Sequence, residues 1–169
     1  GTNGSPAYPA GVGATGKLYL IVAQKPAAAG GGTVTTPAGW TLKSEAINKG
    51  GYGTTVGADV GNTNLRVYER PAASQTGTQA VSTAGSSVCW MIIGYVSGRI
   101  GSDALVWGED ITAGSVSAAM TAGPGIAAGD TLIWGMAIPT DVTTPSQFSA
   151  HALTAAGATI GAATEIVEP

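Results

Sequence analysis

One histidine, one cysteine and ten carboxylates carry most of the reactive chemistry of this 169-residue chain, and their spacing limits what they can do. A serine nucleophile needs a base within hydrogen-bond reach. Ser97-Gly98 and the other Gly-x-Ser pieces do not form a Gly-x-Ser-x-Gly elbow, and His151, in Ser149-Ala150-His151, is the only imidazole. It reads as a solvated or strand-face histidine. Cys89 lies in the apolar run Val88-Cys89-Trp90-Met91-Ile92-Ile93, where a buried thiol is the ordinary reading. One His and one Cys far apart make no transition-metal ligand set. Asp103, Glu109 and Asp110, or Asp130 with Asp141, could bring oxygens to a hard cation, but no Asp-x-Asp-x-Asp spacing exists. They read as solvated carboxylates. Glu45, Glu69, Glu109 and Asp110 are available for a glycosidase pair, which must face across a cleft, and any sandwich would offer as many. Gly50-Gly51-Tyr52-Gly53 lacks the Gly-Lys-[Ser/Thr] of a phosphate cradle. The expectation is a protein that is not an enzyme and holds no cofactor or metal.

The bulk composition points the same way. Charged residues make up 10% of the chain against a usual level of about a quarter. Hydrophobic residues make up 44%, yet Phe occurs once and Gly 27 times, so the apolar content is mainly aliphatic. That combination opposes disorder, which needs low hydrophobicity with high net charge. A charge-poor surface fits a subunit that sits beside other subunits, so an oligomer is expected. Net charge is −3, and the seven basic residues are scattered from Lys17 to Arg99, which argues against nucleic acid. No run of about 18 uncharged apolar residues exists, so no membrane insertion is expected. A lone cysteine cannot form an internal disulfide, which is compatible with folding in a reducing cytosol. Opening on Gly1 reads as a processed chain or a piece of a longer one, and the ending at Pro169 permits a continuation.

The elements that would position these residues are strands. Residues 1–13 are Gly, Pro, Ser, Thr and Ala with one Tyr, and read as an extended arm before a single domain over 14–169. Lys17–Ala23 is almost continuously apolar and predicts a central strand buried on both faces. A polar loop follows. Trp40–Ala46 alternates, with Trp40, Leu42, Ser44 and Ala46 on one side and Thr41, Lys43 and Glu45 on the other. Residues 48–61 form a long Gly-rich excursion. Asn64–Arg70 alternates again and Pro71 stops it. Gln79–Ala84 is a short polar candidate. Ser87–Val96, the most hydrophobic, is expected to be central. Further candidates are 104–107, 115–120, 131–138, 151–154 and 164–167. Helix signals are poor throughout. Many short strands with turns between them predict an all-β, antiparallel β-sandwich of jelly-roll kind.

One phrase occurs twice. Gly16–Ala23 followed by Thr35-Thr36-Pro37-Ala38-Gly39-Trp40 is echoed by Gly129–Ala137 followed by Thr143-Thr144-Pro145-Ser146-Gln147-Phe148. A single long spacing is no solenoid signal. It predicts one strand-turn placed twice in a sandwich. Pro37 and Pro145 set the turns, Gly39 is free to take positive φ, and Trp40 and Phe148 drop onto the core. A ring stacking on a sugar is the alternative reading for those two aromatics. Tyr52, Tyr95 and Trp107 are candidate contacts to a partner or a glycan.

The order of these pieces, above all Thr36–Leu42 and Leu65–Ala72, with the Trp90-containing apolar strand, resembles a β-sandwich domain recurrent in minor virion proteins of tailed phages and prophages. The match covers about Gly11 to Phe148. It departs from the pattern at Tyr68-Glu69-Arg70-Pro71-Ala72, where relatives usually run on as Tyr-Arg-Val-Ala, and at Ser146-Gln147, where the second turn lacks its Gly-Trp. The resemblance implies a virion structural role, as a capsid-decoration, head-spike or tail-associated subunit assembled in the host cytoplasm. Its partners would be copies of itself and a capsid or tail protein. A carbohydrate-binding adhesion module that recognises a host surface glycan is the alternative. The resemblance supplies no catalytic residue.

Overall fold

In a computed structural model, residues 3–27, 31–49 and 63–98 are described. The candidate strands beyond Arg99, and Tyr52, Trp107, Pro145, Phe148 and His151, lie outside them. The described residues form six strands and no helix: β1 (Lys17–Pro26), β2 (Thr33–Thr35), β3 (Thr41–Lys49), β4 (Thr63–Pro71), β5 (Ser82–Ala84) and β6 (Ser86–Val96). Four make an antiparallel sheet in the order β3-β4-β1-β6, and β2 pairs with β5 in a second, two-stranded sheet. The fold is all-β, antiparallel and sandwich-like, as the sequence predicts.

β1 is an inner strand, flanked by β4 and β6, and both of its faces are apolar. Leu18, Leu20 and Val22 point to the face covered by the second layer. There they cluster with Trp40, Tyr68, Ala72, Val81 and Ile93, and Tyr8, Val12 and Val34 pack against them. Tyr19 and Ile21 point to the opposite face and cluster with Val67, flanked by Leu65, Trp90, Ile92 and Val96. Period-two alternation sends neighbouring side chains to opposite faces, so a run apolar on both is the signature of an inner strand.

β6 pairs with β1 on one side, and the strand candidates beyond it lie outside the described residues. Two expectations differ in detail. The polar loop after β1 contains a strand, β2, because Thr33, Val34 and Thr35 find partners in Ala84, Thr83 and Ser82. Finally, β3 does not alternate in phase. Its register slips once between Leu42 and Ser44 and again between Ala46 and Lys49. Each slip inserts one residue against β4, a bulge, so Leu42 lies opposite Tyr68 while Ala46 lies opposite Leu65, on the other face. Asn48 at the second bulge has φ 54° and its backbone N–H donates to the Asn64 side-chain oxygen at 2.8 Å. Asparagine tolerates that left-handed conformation better than most residues.

Gly16, just before β1, has φ +112°, and a Cβ there would run into the Val96 carbonyl oxygen and come within 3.2 Å of the Ser97 Cα. Both obstacles are backbone and cannot swing aside. Gly16→Ala is expected to cost at least the roughly 1–3 kcal/mol of a strained backbone, seen as a lower midpoint in thermal unfolding; an unchanged midpoint would show that the β1–β6 end is loose.

Candidate docking seat of the N-terminal arm

The arm is fastened to its own domain. Gly4 exchanges two backbone hydrogen bonds with Val81, at 3.1 and 2.9 Å. Gln79 N–H donates to the Pro6 carbonyl at 3.0 Å, and Tyr8 N–H to the Gly77 carbonyl at 2.9 Å. Ala7 and Thr78 face each other between those two bonds. Thr83 N–H donates to the Asn3 side-chain oxygen at 3.1 Å. Residues 3–8 thus run antiparallel to 77–83 as a short added strand. Pro6 withholds one N–H from that ladder, which is tolerated at an edge. Met91 fills the space beside Gly4: a Cβ there would lie 2.5 Å from the Met91 sulfur.

Tyr8 is the anchor. Its ring packs on the core cluster and its hydroxyl donates to Gln79 Oε1 at 2.8 Å. The same oxygen accepts from Trp40 Nε1 at 3.0 Å. Arg70 Nη1 donates to the Tyr8 hydroxyl at 3.2 Å, and the guanidinium lies over the Trp40 ring, 5.6 Å from its centroid. Arg70 Nε is buried and has no hydrogen-bond partner among the described residues. Four side chains from the arm, the turn before β3, β4 and the segment before β5 therefore lock one another.

The turn that delivers Trp40 is built as its sequence implies. Trp40 N–H donates to the Pro37 carbonyl at 3.1 Å, and Gly39 takes φ +80°, the positive value that a type II turn needs at its third position. Trp40 is only 5% exposed.

A second polar cluster lies inside the sandwich. Arg66, 8% exposed, donates through Nε to Glu45 at 3.1 Å and through Nη1 to the Gly32 carbonyl at 2.8 Å and to Gln24 Oε1. Gln24 Nε2 donates to Ser86 Oγ at 2.7 Å. Asn64, wholly buried, donates to the Gly31 and Gly32 carbonyls, both at 3.1 Å. Strands β1, β3, β4 and β6 and the approach to β2 meet in these bonds. The first bulge in β3 makes the ion pair, since without the extra residue Glu45 would face Leu65 on the other side of the sheet.

Burial holds the neighbouring Tyr68 phenol above its ordinary pKa of 10.0, and Arg66 opposes that rise. A group with a raised folded pKa contributes stability below its unfolded value and loses it as pH climbs through the folded value. Stability is therefore expected to fall above about pH 10 in urea titrations, and Tyr68→Phe is expected to flatten that alkaline fall. A fall of unchanged steepness in the variant would show that other groups drive it.

Among the carboxylates considered for hydrolysis, Glu45 bonds Arg66 on the covered face, while Glu69 bonds Lys17 at 3.2 Å and Lys43 at 3.4 Å on the opposite face. These two do not face each other across a cleft. Among the described residues no three His, Cys, Asp or Glu side chains gather. Tyr95 packs on the core cluster and donates its hydroxyl to the Thr15 carbonyl at 2.8 Å. Sequence reasoning finds Trp40 and its turn and misses Tyr8, Arg70 and Gln79. A lone Tyr in a Gly/Pro-rich arm is the signal that could have exposed the anchor. No family model, curated protein or solved structure matches this chain.

Proposed function

We propose that this chain is a non-enzymatic structural subunit of a phage virion, a capsid-decoration, head-spike or tail-associated module that acts by assembling on the particle. The observation that carries the reading is the arm seat. An extended Gly/Pro-rich segment is recognised by backbone bonds along 77–83 and one aromatic anchor, Tyr8. Strand addition of this kind gives affinity through the main chain and register through side-chain pockets. The charge-poor composition and the resemblance carried by Thr36–Leu42 and Leu65–Ala72 support the same reading. Trp40 is buried in the core, so it lends nothing to a glycan-stacking platform.

Antibody raised against the chain should label density-purified particles of the phage or prophage that encodes it, at one structural position. Purified particles free of the chain would overturn the proposal. A glycan array that returns a specific sugar with particles unlabelled would favour the adhesion reading.

A further inference from the structure

We infer that the seat along 77–83 is a strand-addition groove that accepts the arm of a second copy of this chain, so that neighbouring subunits are linked by exchanged arms. The inference rests on the assembly reading and names the partner. The contacts in the seat are made by the arm's own residues: Asn3 against Thr83, Gly4 against Val81 and Met91, Pro6 against Gln79, and Tyr8 against Gly77, Gln79 and Arg70. A second copy offers the same set, so exchange costs no contact at the seat.

The path between arm and body is short. Beyond the anchor, the chain is next held where Val12 packs on the core cluster and the Gly13 carbonyl accepts from Ser74 N–H at 2.8 Å. Between Tyr8 and Val12 lie Pro9, Ala10 and Gly11. Ala10 and Gly11 form an exposed turn, and Gly11, at φ +75°, has nothing within 4 Å of a built Cβ. Opening that turn is what re-aims the arm, and straightened chain adds roughly 3.3–3.6 Å of reach per residue. Pro6 and Pro9 stiffen the arm, so little order is lost when it seats elsewhere.

Concentration decides between the two seatings. A short tether holds the arm near its own seat at an effective concentration of order millimolar. In dilute solution the arm stays home. Subunits packed side by side reach comparable local concentrations, and exchange then competes.

The test uses full-length chains in a Cys89→Ala background. Ala7 and Thr78 are exposed and directly opposed at a non-hydrogen-bonded antiparallel position. Such pairs sit about 4.5 Å apart between Cα atoms, within disulfide range. An Ala7→Cys chain and a Thr78→Cys chain are mixed over a series reaching millimolar protein, oxidised, and read by intact mass and peptide mapping. A heterodimer joined through positions 7 and 78, in growing excess over the 7–7 and 78–78 homodimers that collision of exposed thiols produces, is the expected result. The double variant in one chain, which should close internally when dilute, checks the pairing. Internal closure without any such excess at the highest concentration overturns arm exchange and leaves particle labelling, the test of the assembly reading, untouched. Failure of the double variant to close overturns the seat itself, and the exchange with it.

Discussion

Trp40→Ala is expected to remove about 3–5 kcal/mol of folding stability, the range for deleting a large buried aromatic. The ring is 5% exposed and sits in the cluster with Leu18, Leu20, Val22, Tyr68 and Ile93. Its loss opens a cavity under the second layer, because β1 and β4 are fixed by their ladders and cannot collapse into it. Two further contacts go with it: the indole N–H to Gln79 Oε1 at 3.0 Å and the Arg70 guanidinium over its face. Total stabilities of domains run about 5–15 kcal/mol, so this one change takes a large share. Trp40→Phe keeps most of the ring and leaves Gln79 Oε1 with its Tyr8 partner, so about 1–3 kcal/mol is expected. Urea unfolding followed by circular dichroism reads both. A loss below about 1 kcal/mol in Trp40→Ala would mean that the ring is not a core residue.

The arm should respond to the same change. Trp40, Tyr8, Gln79 and Arg70 share one network, so removing Trp40 takes one of the two donors from Gln79 Oε1 and the ring beneath Arg70, and loosens the anchor. Groups in contact do not add independently. The two losses measured singly, in Trp40→Ala and Tyr8→Ala, are therefore expected to exceed the loss in the double variant.

How much of this was legible in the sequence follows from how local each feature is. β1 reads directly, because an unbroken apolar run bounded by Gly16 and a polar loop has few other solutions. The turn at Pro37–Trp40 reads directly, because proline and glycine act within four residues. The bulges of β3 do not. They depend on the partner strand, where Asn64 captures the Asn48 backbone and Arg66 takes Glu45, and nothing in Thr41–Lys49 taken alone announces either. The seat is harder still. Tyr8 and Gln79 are 71 positions apart, and only the folded topology brings them together. Burial of Arg66 also runs against composition, since arginine is rarely buried without partners. Three acceptors gathered from β3, β1 and the Gly32 approach make it tolerable.

That gathering sets the second large effect, and the two ends of the ion pair should behave unequally. Arg66→Ala strands one buried acceptor, Gln24 Oε1, at about 1–3 kcal/mol, while the Gly32 carbonyl loses one donor and keeps Asn64. Glu45, by contrast, is 45% exposed and can return to water when its partner goes. The stranded carboxylate therefore adds little, and a total of about 2–4 kcal/mol is expected from the Gln24 oxygen and the lost packing. Glu45→Gln works from the other side. The guanidinium stays buried, keeps Gln24 and Gly32, and loses only the charge of a partner already open to solvent. An ion pair with one exposed member is worth about 1 kcal/mol or less. Arg66→Ala is thus expected to exceed Glu45→Gln severalfold in denaturant unfolding, and added salt should shift Glu45→Gln less than the parent chain, because the salt-screened pair is gone. Equal losses at the two positions would mean that the ion pair, rather than the buried Gln24 contact and the packing of Arg66, holds the cluster. Hydrogen exchange gives the structural counterpart. Loss of Arg66 should loosen the amides of β2, since the Gly32 carbonyl that it grips leads directly into Thr33, while β1 stays protected by its ladders to β4 and β6.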